Sequence, residues 1–168
     1  MKRTRRQAEW VVVIAATMAL ALVVLPRATQ AYEVSGVGGS IGYATPENLD
    51  GTTAVGLHAV LERPGTRLHL DPNMRVWNVD GVRDVAPNMD VTYHFTSERR
   101  WTPYVGGGLG VNFVHDRNID RSSSDLGMNV IGGVRFPAAA NRYFVEGRYT
   151  ASDVNQVALV TGITFHAP

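Results

Sequence analysis

The stretch PYVGGGLGVNF, residues 103–113, alternates two kinds of residue at every second position. Its odd-numbered residues are mostly apolar, from Pro103 to Phe113, and its even-numbered residues are Tyr104, three glycines and Asn112. A period of two is the signature of a β-strand with one apolar face. Residues 125–136 repeat the pattern, with glycine or charge between the apolar positions. Which of the two faces points inward therefore decides what kind of protein this is.

The same alternation, punctuated by Gly, Pro, Asn and Asp, predicts eight strands and no helix after the N-terminal region. The predicted strands cover residues 34–44, 53–63, 67–77, 85–96, 103–113, 125–136, 142–150 and 155–165. Pro72 and Pro87 lie inside the third and fourth strands. Because proline has no N–H to donate, we predict a bulge or a locally broken pair beside each of them.

The N-terminal region is typical of a secretory signal peptide. Four basic residues among the first six precede an apolar stretch at residues 10–25, and the small-residue site ends at Ala31. A membrane anchor is the alternative, but the uninterrupted apolar core is shorter than the ~20 residues that a spanning helix needs. We therefore predict a signal helix in residues 1–31, cleavage after Ala31, and one domain over residues 32–168.

Charge and cysteine content limit the possible functions. The chain has 16 basic and 15 acidic residues, but the predicted leader carries five of the basic ones and only Glu9 among the acidic ones. The mature chain is therefore net acidic, by −3, and offers no basic surface of the kind that binds nucleic acid. It has no cysteine, so neither disulfides nor thiolate chemistry contributes.

Two antiparallel barrels fit eight strands: a lipocalin-like cup with the apolar face inside, or an outer-membrane barrel with that face outside. Three features favour the membrane barrel. The other face of strands one and five is nearly all glycine, which leaves room inside for Arg67, His69, Arg75 and Trp77. The strands have about the 9–11 residues that cross a bilayer. Outward aromatic residues gather at strand ends as two interfacial girdles: Phe95, Trp101, Phe136, Tyr143 and Phe165 toward one rim, and Tyr43, Phe113 and Tyr149 toward the other.

An even number of strands places both termini on the periplasmic side. The predicted inner turns are then residues 64–65, 97–101 and 137–141. The predicted outer connections are residues 45–52, 78–84, 116–124 and 152–155, all short or modest, with the serine run of 122–124 taken as a flexible loop. Receptor and adhesion roles usually depend on long surface loops, and the four predicted outer connections are too short to favour such a role.

The closing segments YFVEGRY (143–149), NQVAL (155–159) and GITF (162–165), with PYVGGGLG (103–110), resemble small outer-membrane β-barrel proteins of the OmpA/OmpX type. The resemblance covers essentially the whole mature chain. It implies an eight-stranded up-and-down transmembrane barrel in the outer membrane of a Gram-negative bacterium. Outer-membrane lipid and lipopolysaccharide would be its partners, with the barrel assembly machinery during insertion, and we expect a monomer.

Inward polar residues predict a lumen filled by paired charges, because buried charges must be paired and a narrow barrel is filled by its side chains. The predicted lumen network comprises Glu62, Arg67, Asp71, Arg75, Asp90, Arg135, Glu146 and Arg148. A filled lumen favours a structural role in envelope integrity. The alternatives are a narrow passive porin-like channel and a surface adhesion or binding protein that acts through its outer loops.

We expect no enzyme, no cofactor and no metal. No serine lies two residues from a histidine on one strand face, so the sequence predicts no activated nucleophile. His58, His69 and His94 fall on three consecutive strands, but a zinc site needs close tetrahedral geometry that spacing alone does not supply. Asp116 and Asp120 belong to an outer connection, where charges are usually solvated.

Overall fold

The computed structural model describes residues 32–138 and 141–167, which form eight antiparallel strands closed into one barrel in sequence order. The strands are β1 (Glu33–Pro46), β2 (Thr52–Glu62), β3 (Leu68–Val79), β4 (Val82–His94), β5 (Thr102–Asp116), β6 (Arg121–Ala138), β7 (Asn141–Ala151) and β8 (Gln156–His166). The barrel closes between β1 and β8, from Gly36 opposite His166 to Pro46 opposite Gln156. The predicted all-β barrel is confirmed. The predicted signal helix and the cleavage site after Ala31 lie outside the described residues.

Apolar side chains cover the outside of the barrel. Leu57, Val130 and Leu159 are each more than 60% exposed, although each lies in the middle part of a strand. The alternate positions are buried and mainly polar, and they include Asp90 and Arg148. This arrangement excludes the lipocalin-like cup, because an outward apolar band with a polar interior is the pattern of a barrel surrounded by lipid. Among the described residues, no helix is long and apolar enough to cross a membrane.

We call the two ends of the barrel the terminal rim and the distal rim. The terminal rim holds the start of β1, the end of β8 and the turns at residues 63–67 and 95–101. The distal rim holds the connections at residues 47–51, 80–81, 117–120 and 152–155. The β3–β4 connection is shorter than the predicted 78–84. It consists of Asp80 and Gly81 alone. Their positive φ angles of 50° and 81° are those of a two-residue hairpin turn whose backbone twist matches that of the flanking strands.

The predicted flexible connection at residues 116–124 is also wrong. Ser122, Ser123 and Ser124 belong to β6 and lie opposite residues 115, 114 and 113 of β5. The serines form a strand because β5 continues alongside them and its backbone pairs with theirs, which outweighs any local preference of serine for a loop. Only residues 117–120 connect the two strands. The distal rim therefore carries even less loop than the sequence predicts.

Both prolines interrupt the ladder as predicted, through a broken pair and not a bulge. The β2–β3 pairing skips Pro72 and Asp71, yet the register on both sides of the gap is the same. The β4–β5 pairing likewise skips Ala86 and Pro87 without a shift. Each proline keeps its neighbour on the other side, Met89 for Pro72 and Met74 for Pro87, so the missing donor affects only one ladder at each site.

Candidate functional site

The centre of the lumen is an ion-pair network around Asp90. Asp90 is fully buried, and its Oδ2 accepts hydrogen bonds from Arg148 Nη1 and Asn73 Nδ2, both at 2.7 Å. Arg148 also lies against Glu146, with Nε 3.1 Å and Nη2 3.0 Å from Oε1. Tyr104 donates to the other oxygen of Glu146 at 2.9 Å. One guanidinium thus pairs with two carboxylates, and these side chains come from β3, β4, β5 and β7.

Amides and hydroxyls continue this network toward the distal rim. Asn129 Nδ2 donates to Asp90 Oδ1 at 3.0 Å and to Asn88 Oδ1 at 2.9 Å. Thr150 donates to Asn129 Oδ1 at 2.8 Å and accepts from Arg75 Nη2 at 3.3 Å. Buried polar groups linked in this way hold one another in fixed orientations, because each change of rotamer would leave a donor or acceptor unpaired.

A second layer closes the lumen near the terminal rim. Glu62 accepts a hydrogen bond from Arg142 Nη1 at 2.6 Å and lies 3.5 Å from His69 Nδ1. The rings of His69 and His94 stack with their centroids 3.9 Å apart, and His94 stacks in turn on Tyr104 at 5.0 Å. The three rings therefore form one stack across the lumen, on the terminal-rim side of the network around Asp90.

A cavity of about 50 Å³ lies beside the Asp90 network and is lined by polar and apolar side chains. Four of the residues that line it have a buried atom with no hydrogen-bond partner within the described residues: Asp71 Oδ1, Asn73 Oδ1, Arg75 Nε and Arg135 Nε. A cavity needs roughly 10–15 Å³ to hold a water molecule, and water favours sites with several polar partners. The cavity thus suits a few bridging waters between groups that make no direct ion pair.

The structure places most of the predicted lumen residues in these layers. Glu62, Asp71, Arg75, Asp90, Arg135, Glu146 and Arg148 all point inward. Arg67 is a correction: it is exposed on the terminal rim, and its Nη1 lies 3.5 Å from the Tyr93 hydroxyl. Arg67 precedes the first residue of β3, so the alternation of that strand does not reach it. Sequence reasoning left Arg142 out of the network, although it has the same parity in β7 as Glu146.

The predicted interfacial aromatic residues lie on the outer face. Tyr43, Phe95, Phe136, Tyr143, Tyr149 and Phe165 are exposed, and Trp101 and Phe113 are half-buried. Phe136 and Tyr143 lie directly opposite each other toward the terminal rim. Tyr93 also belongs to this end, since its ring meets that of Phe95 edge to face at 5.2 Å. An aromatic belt of this kind marks the level where lipid headgroups meet the hydrocarbon.

The three histidines considered as metal ligands have other partners. His58 Nε2 lies 2.9 Å from Thr164 Oγ1, and its ring meets Phe144 edge to face. His69 and His94 stack on each other, as described above. Within residues 32–138 and 141–167, no three His, Asp or Glu side chains converge as metal ligands.

One serine and one histidine on neighbouring strands are in contact. His115 Nδ1 lies 2.9 Å from Ser122 Oγ, because β5 and β6 place the two residues directly opposite each other. The pair is near the distal rim, one pair farther from the barrel centre than Val114 and Ser123. No carboxylate of the described residues hydrogen-bonds the other ring nitrogen of His115. The pair therefore has the first two members of a catalytic triad without the third.

No protein-family model matches the chain, and no curated protein matches its sequence. Solved structures do match its fold. Neisserial surface protein A shares 14% identity with a TM-score of 0.65, over 81% of this chain and 96% of that protein. The attachment invasion locus protein Ail of Yersinia pestis shares 13% identity with a TM-score of 0.52, over 82% and 99%. The outer membrane enzyme PagL shares 16% identity with a TM-score of 0.50, over 76% and 98%.

These similarities confirm the predicted resemblance at the level of the fold. Together with the apolar outer surface, they support the predicted location in the bacterial outer membrane. The matching structures include a surface protein, an attachment protein and an enzyme by name. Proteins with this barrel fold thus have different roles, so the fold alone does not determine the role of this chain.

Proposed function

We propose that the protein is a non-conducting outer-membrane barrel with a structural role, which occupies the membrane and supports the integrity of the envelope. The observation that carries the proposal is the filled lumen, in which Arg148 bridges Asp90 and Glu146 across the interior. The cavity of about 50 Å³ beside this network has room for only a few waters, which supports a lumen without a solute path. Outer-membrane lipid and lipopolysaccharide are the proposed partners, the barrel assembly machinery inserts the chain, and the protein acts as a monomer without a cofactor.

Conductance separates this proposal from a narrow passive channel. The protein extracted from outer membranes is inserted into planar bilayers, with a known porin as the positive control. We expect repeated insertions to give no steady open level. A reproducible open level would contradict the filled lumen and would favour the channel.

Complementation tests the structural role against adhesion through the distal loops. A strain without the gene should become more sensitive to detergents and to large antibiotics, and the wild-type gene should restore resistance. A variant with residues 117–120 replaced by a two-residue turn should restore resistance equally well, because these residues lie outside the strands. Loss of surface binding in that variant, with full resistance, would instead indicate an adhesion role.

The contact between His115 and Ser122 favours a second candidate function, the hydrolysis of an ester at the distal rim. A fluorophosphonate probe labels activated serines and tests this directly. Ser122→Ala should abolish any labelling, whereas Ser124→Ala is the matched control, since Ser124 lies opposite Phe113 and not His115. The structural proposal expects no labelling of the wild-type protein.

A further inference from the structure

Two neighbouring turns of the terminal rim carry four exposed arginines. Arg63 and Arg67 belong to the turn at residues 63–67, and Arg99 and Arg100 belong to the turn at residues 95–101. The two turns are adjacent because β3 pairs with β4, and the backbone N–H of His94 donates to the Arg67 carbonyl at 2.9 Å. We call Arg63, Arg67, Arg99 and Arg100 the basic rim surface.

The positive charge of this surface has no partner within the part of the chain that the structure describes. None of the four guanidinium groups forms an ion pair there. Glu98 is the only acidic residue in the two turns. The distal rim has the opposite balance: its exposed acidic residues are Glu47, Asp50, Asp80, Asp120 and Asp153, against exposed Arg83, Arg117 and Arg121. The basic rim surface is thus confined to the terminal rim.

Contacts with two aromatic residues indicate the depth of the basic rim surface in the membrane. Arg67 Nη1 lies 3.5 Å from the hydroxyl of Tyr93, which belongs to the outward aromatic belt. The Arg99 guanidinium lies over the ring of Trp101, 5.4 Å from its centroid, as in a cation–π contact. Because aromatic belts lie at the level of the lipid headgroups, these guanidinium groups reach the depth of the lipid phosphates.

We propose that the basic rim surface binds the phosphate of anionic glycerophospholipids in the leaflet that meets the terminal rim. Guanidinium groups recognise phosphate through parallel, charge-assisted hydrogen bonds, and arginines at a membrane surface attract anionic lipid. Leu68 and Phe95 are exposed apolar residues beside these arginines, so they can contact the acyl chains of the lipid whose phosphate the arginines bind. This site goes beyond the structural role and depends only on the position of the barrel in a bilayer.

The test measures lipid selectivity in reconstituted vesicles of phosphatidylcholine. Spin-labelled phosphatidylglycerol or phosphatidylcholine is added in trace amounts, and the fraction of motionally restricted label gives relative association constants. We expect the wild-type protein to prefer phosphatidylglycerol by about fivefold or more. The R67Q/R99Q variant should lose most of that preference. The matched control R117Q/R121Q removes two exposed arginines of the distal rim and should retain it.

Compact unboiled mobility checks that each variant has folded before its selectivity is compared. Should R67Q/R99Q fail this check, the wild-type protein still provides a test, because about 1 M salt shortens the screening length to about 3 Å and should abolish the preference. Equal affinity of the wild-type protein for the two lipids would overturn the proposal, as would equal loss in the distal control. Binding of polyglutamate in detergent without lipid selectivity would overturn it too and would assign the surface to an acidic protein.

Discussion

Replacing Asp90 by alanine should destabilise the barrel more than removal of any exposed carboxylate. The substitution leaves Arg148 paired with Glu146 alone and deprives Asn73 and Asn129 of an acceptor. Breaking a buried ion pair by removing one partner costs about 3–5 kcal/mol. Because Glu146 still neutralises Arg148 and the adjacent cavity admits water to the orphaned donors, we expect a loss of about 3 kcal/mol in the free energy of unfolding.

Urea unfolding in lipid vesicles measures this difference, with unboiled mobility and tryptophan fluorescence as independent probes. Asp50→Ala is the matched control, since Asp50 is exposed in a distal connection, and it should change stability by no more than about 0.5 kcal/mol. In the double variant D90A/R148A the cost should be smaller than the sum of the two single costs, by about 0.5–3 kcal/mol. A D90A variant within about 1 kcal/mol of D50A would refute the view that this network holds the lumen together.

Two further predictions each compare a disruptive substitution with a control at a position that has open space or lies outside the strands. Gly108→Ala would place a methyl group against the Asp90 carboxylate and should cost about 1–3 kcal/mol by urea unfolding, whereas Gly132→Ala has open space outside the barrel and should be neutral or slightly stabilising. Leu109→Arg puts a charge on the lipid-facing side of β5 and should cost about 2–4 kcal/mol or block insertion, as shown by loss of the compact unboiled form. Ile119→Arg should have no such effect, because Ile119 is exposed in the connection at residues 117–120.

Alternation allowed the strands and their faces to be predicted from the sequence, because a residue in a paired strand points inward or outward by parity alone. The errors occur where a strand begins or ends. Arg67 has inward parity when it is counted back from Arg75, but β3 begins at Leu68, so Arg67 turns outward on the rim. The serines of β6 were assigned to a loop by composition, although β5 extends far enough to pair with all of them.

The partners within the lumen could not be predicted in the same way. Arg148 and Asp90 are 58 residues apart, and Arg142 and Glu62 are 80 apart. Which of several inward charges meet depends on the stagger between strands around the closed barrel and on the reach of each side chain. Alternation says nothing of either quantity. The contact between His115 and Ser122 was missed for the same reason, since it depends on the register between two strands and not on spacing within one.

The glycines explain why this lumen is closed and not merely polar. The sequence predicted that the glycine faces of strands one and five make room for large side chains of β3, but the atoms nearest to those glycines belong to other strands. Arg75 of β3 instead lies beside Gly56 of β2, with its Cγ 3.3 Å from the position of a Cβ. Neighbouring strands supply most of the large side chains, such as Asp90 against Gly108, Tyr104 against Gly133 and Phe144 against Gly162. Gly108, Gly133 and Gly162 therefore each face a bulky side chain from an adjacent strand, and the glycine and that side chain together fill the local cross-section. Widening the lumen would require truncation of the bulky residues, because the glycines have no side chain left to remove.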